Sequence, residues 1–404
     1  MHRVPKIAFS RWLSVCLLPL FCTGCADATE VNRLAIVAMS GFDLVTPKSP
    51  ASLTLATVQI ARPSQLGGPE TPSPAGSMKG FLLESGTGIN VGAAFSDIQR
   101  QTSRRFYLSH RDATVVGEDY ARHGISSLID ETLRNPQSRT RTFLLTAYHT
   151  QASHILSIPY GLNRLPSAAV VEMQESGEIL PVDVKQFAQD MMGPGDPYTM
   201  GILPMLGIHE KNKYTFDIRH IAVYQKDHLV GWLSLNESSG FLFIMGRLRQ
   251  DLMAVHLPGV PGTVSCTLLV LHTVKTIRVV RGKPQLTIET YIEDDIIENG
   301  TPLNFHEVVN TNQVRLVIQR NVAERMRACL SALQQRYDAD CLGSGRLLYE
   351  HYPQVWRKIE PQWRSVFKTM PITVTVHCQI RRGGQVGPPI RPQSPTADWL
   401  PAHG

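Results

Sequence analysis

The 404-residue sequence predicts an α/β (α+β) protein of three domains, with mixed β-sheets flanked by helices and one long helix in the C-terminal unit. Three observations carry that prediction. Between Arg33 and Leu156, apolar runs of strand length alternate with segments of helical period. Residues 266–280 and 286–292 alternate in period two. Residues 303–342 contain neither Gly nor Pro and carry an apolar stripe at helical spacing.

The chain opens on a leader. Residues 1–11 hold Arg3, Lys6 and Arg11 without an acid, and Trp12 to Phe21 is an apolar run too short to cross a bilayer as a permanent helix. It closes in Phe21-Cys22-Thr23-Gly24-Cys25, which resembles a bacterial lipobox. In such a motif the Cys thiol takes a diacylglycerol and becomes the first residue after cleavage. Residues 1–24 are therefore expected to be a signal peptide and Cys25 the lipid attachment site. Two or three acyl chains suffice for stable anchoring, whereas one alone is reversible. Without the leader, 37 basic side chains face 34 acidic ones, a balance that does not call for nucleic acid. At 43% hydrophobic, the remaining 380 residues exceed what one core usually organises.

Residues 25–195 are expected to form an N-terminal α/β domain. Ala26 to Asn32 is a polar tether, Arg33–Met39 a buried strand, and Leu53–Ile60 a second strand antiparallel to it. Arg62 to Gly80, dense in Pro, Gly and Ser, reads as a surface loop. Ser85-Gly86-Thr87-Gly88 reads as a turn leading to Asn90, an N-cap for a helix that buries Val91, Ala94, Phe95 and Ile98. A strand at Thr114–Gly117 follows, then a helix from Glu118 to Arg134 with Leu128, Ile129 and Leu133 inward, ended by Asn135-Pro136. Arg141–Ala147 is a further strand, and Gln151–Leu156 a short helix.

A middle α/β domain is expected at 196–262. Tyr214–Val223 and His228–Leu233 are strands that turn at Lys226-Asp227, and Ser234-x-x-Glu237 is a capping box. The helix it heads is expected to bury Phe241, Leu242, Met245 and Leu248, and Trp232 before it reads as a hydrophobic plug. The C-terminal domain, 263–384, begins with a hairpin turning at Arg281-Gly282-Lys283-Pro284. Val314, Ile318, Val322, Met326, Cys329, Leu333 and Tyr337 then mark one face of a helix of about 27 residues. Shorter helices carry Leu347, Leu348 and Tyr352, then Trp356 and Ile359, and Ile372–Ile380 closes as a strand. The Pro- and Gly-rich tail, 385–404, is expected to be disordered.

Motifs for catalysis do not assemble. Gly86-x-Gly88-x-x-x-Gly92 lacks the dinucleotide spacing and its downstream acid, so its glycines read as serving a tight turn and close helix packing. Ser365-x-x-Lys368 lacks its companion motifs, and His149 and His154 stand five apart with no Glu between them. Cys266, Cys329, Cys341 and Cys378 show no C-x-x-C, so metal is not expected; disulfides and buried free thiols both fit. No cofactor is expected, and the protein is not expected to be an enzyme.

The ordered set of motifs resembles the C subunit of bacterial spore nutrient-germinant receptors, the Ger(x)C lipoprotein family. The matching pieces begin with Cys25 followed by Glu30-Val31-Asn32-Arg33-Leu34-Ala35-Ile36-Val37, then Gly86 and Gly88. They continue with Arg105-Phe106-Tyr107-Leu108-Ser109-His110, Val115-Val116-Gly117-Glu118, Gly124-Ile125 and Leu133-Arg134-Asn135-Pro136. Leu229-Val230-Gly231-Trp232-Leu233, Glu237-Ser238-Ser239-Gly240 and Tyr352-Pro353-x-x-Trp356 with Trp363 and Phe367 complete the set. Three features depart from the family pattern: Ala26-Asp27 stands where it has Trp-Asp, and the Pro-rich 62–80 insertion and the long tail are unusual. The resemblance implies a fold of three α/β domains and a non-catalytic, lipid-anchored subunit on the extracytoplasmic face of the spore inner membrane. Its implied partners are integral-membrane A and B type subunits, with which it starts germination in response to nutrients.

The polar flank of the long helix, with Arg315, Arg320, Arg325 and Arg336, offers a docking surface, and Arg320 and Arg325 are its candidate partner contacts. The competing class is a solute-binding lipoprotein of a transporter. Such proteins have two similar lobes, and this sequence shows no repeated βα lobe pattern.

Overall fold

The computed structural model describes residues 33–49, 51–62, 80–206, 214–248 and 250–382. Cys25, most of the 62–80 insertion and the 385–404 tail lie outside the described residues.

Two sheets organise the chain. The first contains β1 (Leu34–Leu44), β2 (Thr54–Ala61), β3 (Phe81–Gly88), β4 (Arg105–Tyr107), β5 (Ala113–Val116), β6 (Phe143–Ala147), β7 (Tyr198–Leu206), β8 (Tyr214–Gln225) and β9 (His228–Leu233). Its order is β3-β2-β1-β5-β6-β7-β8-β9, with β4 paired to the start of β1. The centre, β1-β5-β6-β7, is parallel, and the flanking strands add to it antiparallel. The second sheet is β10 (Asp251–Val255), β11 (Val264–Val280), β12 (Lys283–Asn299) and β13 (Ile372–Arg382), in that order, with β13 parallel to β12.

This arrangement departs from the expected division at 195/196. That boundary falls between β6 and β7, which are adjacent strands of one sheet. The expected middle unit has no sheet of its own: β7 to β9 extend the first sheet, and β10 opens the second. Parallel neighbours require a long crossover. Here it is α4 (Ala152–Ser157), α5 (Pro166–Glu175) and α6 (Val184–Met192), of which only the first was expected from the sequence.

Helix α1 (Val91–Gln101) starts as expected, with Asn90 Oδ1 accepting from Ala93 N, and buries Val91, Ala94, Phe95 and Ile98. Gly86 and Gly88, however, lie within strand β3 rather than in a turn. What they provide is proximity. A Cβ on Gly88 would stand 2.4 Å from Ala94 N, and one on Gly86 2.8 Å from Ile98 N. The expected helix Glu118–Arg134 is two, α2 (Glu118–His123) and α3 (Ser126–Arg134), because Gly124 takes φ +112° between them. Leu133 is consequently exposed, while Leu128 and Ile129 are buried.

Helix α7 (Leu235–Met245) carries the predicted capping box and buries Phe241, Phe243 and Ile244; Leu242 and Met245 are only partly buried. Helix α8 (Val308–Ser331) continues into a π turn at Ala332–Arg336, and six of the seven predicted stripe residues, Val314 to Leu333, are buried. Gly240 lets α7 and α8 touch, since a Cβ there would stand 2.1 Å from Arg325 O. The β11–β12 hairpin turns on Arg281 and Gly282, both left-handed, which matches the right-handed twist of its strands. The four cysteines are buried free thiols.

The two sheets are clamped by a polar seam near α9 (Ser344–His351) and α11 (Trp363–Thr369); α10 (Pro353–Ile359) lies between them. Asp340 is buried, and its carboxylate accepts from Ser344 N at 3.1 Å, Gly345 N at 2.7 Å and Trp363 Nε1 at 3.1 Å. Asp196, just before β7, accepts from Asp340 N and Lys226 N, each at 3.1 Å. Burial raises the pKa of Asp340, and the N–H donors of Gly345 and Ser344 work against that rise.

Candidate functional site

The carboxyl ends of parallel strands are where open α/β sheets place their sites. At that end of the first sheet, Asp43 closes β1, Gly117-Glu118 follows β5, and Tyr148-His149 follows β6. Asp43 is buried and caps α4, with Oδ1 accepting from Ala152 N at 2.8 Å and Oδ2 from Ser153 N at 2.9 Å. Burial nonetheless raises its pKa. Gly117 makes room, because a Cβ there would meet Asp43 Oδ1 at 2.0 Å.

Above this floor sits a cluster of rings. Tyr148 stacks on His220 with centroids 4.3 Å apart and 3° between planes, and meets Trp232 edge-on at 4.9 Å. His149 stands 4.1 Å from Tyr148 on its other side. Glu118 fixes His149, accepting from its backbone N at 2.8 Å and lying 2.9 Å from its Nδ1. Burial acts to raise the Glu118 pKa, but bonds from Arg122 and His149 prevail and hold it below the ordinary carboxylate range.

Two of these residues are held in an unusual backbone. His149 has φ +51° and His220 φ +65°, a region costing roughly 1–3 kcal/mol for a residue other than Gly. At His220 the cause is a bulge. The β7–β8 register passes from Met200–Ile221 to Ile202–Ile218, so Arg219 and His220 together oppose Gly201. That bulge aims His220 at Tyr148. Gly201 is required for a second reason, since a Cβ there would lie 2.7 Å from Trp232 Cζ3.

Trp232 is half-buried, and its Nε1 is buried without a hydrogen-bond partner. An unmade bond of this kind costs about 1–3 kcal/mol. The second unit supports the residue from behind: Tyr337 donates from its hydroxyl to Trp232 O at 2.5 Å, and its ring fills the space left by Gly231. Arg336 lies over the Tyr337 ring at 4.8 Å and pairs with Glu237 at 2.6 Å. Beside the rings opens a cleft of about 380 Å³, lined by Arg219, His220, Ser239 and Asp251 among others. Partly exposed aromatic faces beside a cleft suit contact with another molecule.

The expected basic flank on α8 is not one surface. Arg320 is exposed. Arg325 instead turns toward α7 and β10, donating to Ser239 Oγ at 3.0 Å and standing 3.6 Å from Asp251 Oδ2. Arg315 bonds Asn312 and Gln319, and Arg336 serves the Tyr337 support. Glu118 holds His149, and Thr150 Oγ1 lies 3.1 Å from His154 Nδ1. No group of three or more metal-ligating side chains occurs among the described residues.

Trp232, read from sequence as a plug, is one wall of the ring cluster; Tyr148, His149 and His220 were missed. The signal available for two of them was Tyr148-His149 directly after an apolar strand. His220 depends on a bulge that no spacing announces.

A nine-stranded mixed sheet joined to a four-stranded sheet and a long helix defines the class: a two-sheet α/β protein. The crystal structure of the GerBC protein shares this fold, with a TM-score of 0.55 at 15% identity over 85% of this chain and 97% of that one. Residues 27–204 match the family described as spore germination protein N-terminal domain, and residues 219–384 match spore germination B3/GerAC like, C-terminal. The chain belongs to this spore germination protein family. Spore germination protein KC of Bacillus subtilis (strain 168) is 24% identical over 97% of this chain and 99% of its own length. Spore germination protein YndF of the same organism is 20% identical over 92% and 96%.

Proposed function

We propose that the protein is the non-catalytic, lipid-anchored subunit of a spore nutrient germinant receptor, acting by contact with integral-membrane partner subunits at the spore inner membrane. The observation that carries the proposal is the order of the two germination-family segments, 27–204 then 219–384, which follow a motif at Cys25 that resembles a lipobox. The non-catalytic part rests on how the reactive groups are used. Burial raises the pKa of all four thiols, which keeps them as poor nucleophiles. The buried carboxylates Asp43 and Asp340 hold backbone N–H groups. Contact falls to the ring cluster of Tyr148, His220 and Trp232, with Arg320 as a further exposed candidate on α8. Arg325 acts inside the fold, between α7 and β10.

Cys25→Ala tests the anchor. The substituted chain should lose detergent-phase partitioning or keep its leader, and spores carrying it should respond poorly to nutrient. Mature, detergent-partitioning protein from the substituted chain, with a normal nutrient response, contradicts the anchor.

A further inference from the structure

The amino ends of the parallel strands gather cations. Arg33 immediately precedes β1, and the β1–β4 register sets Leu34 opposite Arg105, which brings Arg104 and Arg105 beside it. All three arginines are exposed. Ser109 Oγ donates to Gln137 O at 2.9 Å, which draws in the loop before β6 with its exposed Arg139 and Arg141. Several carboxylates on the elements around this end are already engaged, while Asp112, just before β5, interacts with Arg139 and the tether carries Asp27 and Glu30. Asp97 pairs with Arg100 and Asp130 with Arg134, each at 2.7 Å, and Asp183 accepts from Gln186 N.

Position gives these cations a partner. Only seven residues lie between Cys25 and Arg33, eight chain steps with a reach of at most about 29 Å. A lipid on Cys25 thus ties the body to the bilayer by the very end that carries the cluster. We infer that the Arg33-Arg104-Arg105 end lies against anionic lipid headgroups, with Arg139 and Arg141 at its margin, so that the ring cluster at the opposite strand ends points away from the membrane. The inference rests on the lipid-anchor reading for its tether. Each basic side chain near an anionic surface strengthens association roughly fivefold. Three such cations orient the body without matching the affinity of the acyl chains. One consequence follows for partners. β1 has 11 residues and spans about 36 Å, so a partner segment that meets the rings must rise about that far above the headgroups.

The test uses the full chain purified from membranes and placed on vesicles of phosphatidylcholine, with or without phosphatidylglycerol. The N-terminal peptide mass reports whether Cys25 is acylated, independently of orientation. A fluorophore on Ser103→Cys, between the strand-end cations and α1, is compared with one on Gln151→Cys at the carboxyl end, using a headgroup quencher. Stronger quenching at position 103 on anionic vesicles, several-fold reduced by Arg104→Glu with Arg105→Glu, is the expected result. Equal quenching at both positions, or quenching unaffected by the double reversal, overturns the inference even when the mass shows acylation. If the mass shows a cleaved but unacylated chain, the anchor reading fails. The same vesicles then judge the face alone: binding to anionic vesicles that the double reversal abolishes supports it, and no such binding overturns it.

Discussion

At the seam between the sheets, both carboxylate oxygens of buried Asp340 are bonded, and neighbouring Asp196 bonds Asp340 in return. At the carboxyl end of the first sheet, Trp232 Nε1 has no partner, and His149 and His220 hold left-handed backbone. Both places carry an unmet buried polar atom and left-handed backbone, since at the seam Ser344 Oγ has no partner and Lys226 and Asp338 hold φ +54° and +50°; what differs is that the Asp340 carboxylate is fully bonded while the rings are partly exposed. A fully bonded buried carboxylate serves stability, because removing it leaves its donors unpaired. Strained backbone beside partly exposed rings lowers stability and motivates the hypothesis that contact with another molecule uses it.

The largest expected effect is at the seam. Asp340→Ala should destabilise by about 3–5 kcal/mol, since it leaves the N–H groups of Gly345, Ser344 and Trp363 buried without an acceptor. Chemical denaturation checks this, and a loss below about 1 kcal/mol would erase the distinction between the two places.

Asp294 sharpens the comparison with a buried carboxylate that is neither saturated nor near the rings. It lies on β12 with the weak thiol donor of Cys266 beside it, and burial pushes its pKa up to about 7. The folded chain therefore binds this proton more tightly than the unfolded chain, whose carboxylate titrates near pH 4. Stability from this group is fully present below about pH 4 and lost as pH rises toward 7. Asp294→Asn should raise the melting temperature at pH 8, by no more than about 4 kcal/mol in free energy, and change it little at pH 4. An equal effect at both values would show that the carboxylate stays neutral or stays paired.

A smaller loss is expected from Gly88→Ala. The added Cβ meets the backbone of α1, and the strain should cost about 1–3 kcal/mol by thermal melting, with no recovery on adding ATP or NAD. Nucleotide-dependent recovery would contradict a purely steric role for these glycines.

How much of this was legible in the sequence follows from how local each feature is. The α8 stripe, the Ser234–Glu237 capping box, the Asn90 cap and the β11–β12 hairpin depend on neighbours a few residues apart, and all are found where expected. Of the two roles the sequence suggests for Gly86 and Gly88, close packing against α1 is found, whereas the tight turn is not, because both lie in strand β3. Helix α5 lacks a clean apolar stripe, burying Pro166, Ser167 and Gln174 among its apolar residues, whereas α6 carries Val184, Phe187 and Ala188 at helical spacing behind the Asp183 cap, a local signal that was missed. The ring cluster was hidden because Glu118, Tyr148, His220 and Trp232 come from four different elements, and sheet order alone brings them together.

The most direct test of the account is the nutrient-triggered germination rate of spores carrying Trp232→Phe, measured alongside the stability of the purified variant. The substitution keeps an aromatic ring and deletes the unpartnered indole N–H, so stability should hold within about 1 kcal/mol or rise. The account predicts a slowed germination response from that stable protein. A variant of unchanged stability that germinates at the normal rate contradicts the claim that the cluster is used for contact.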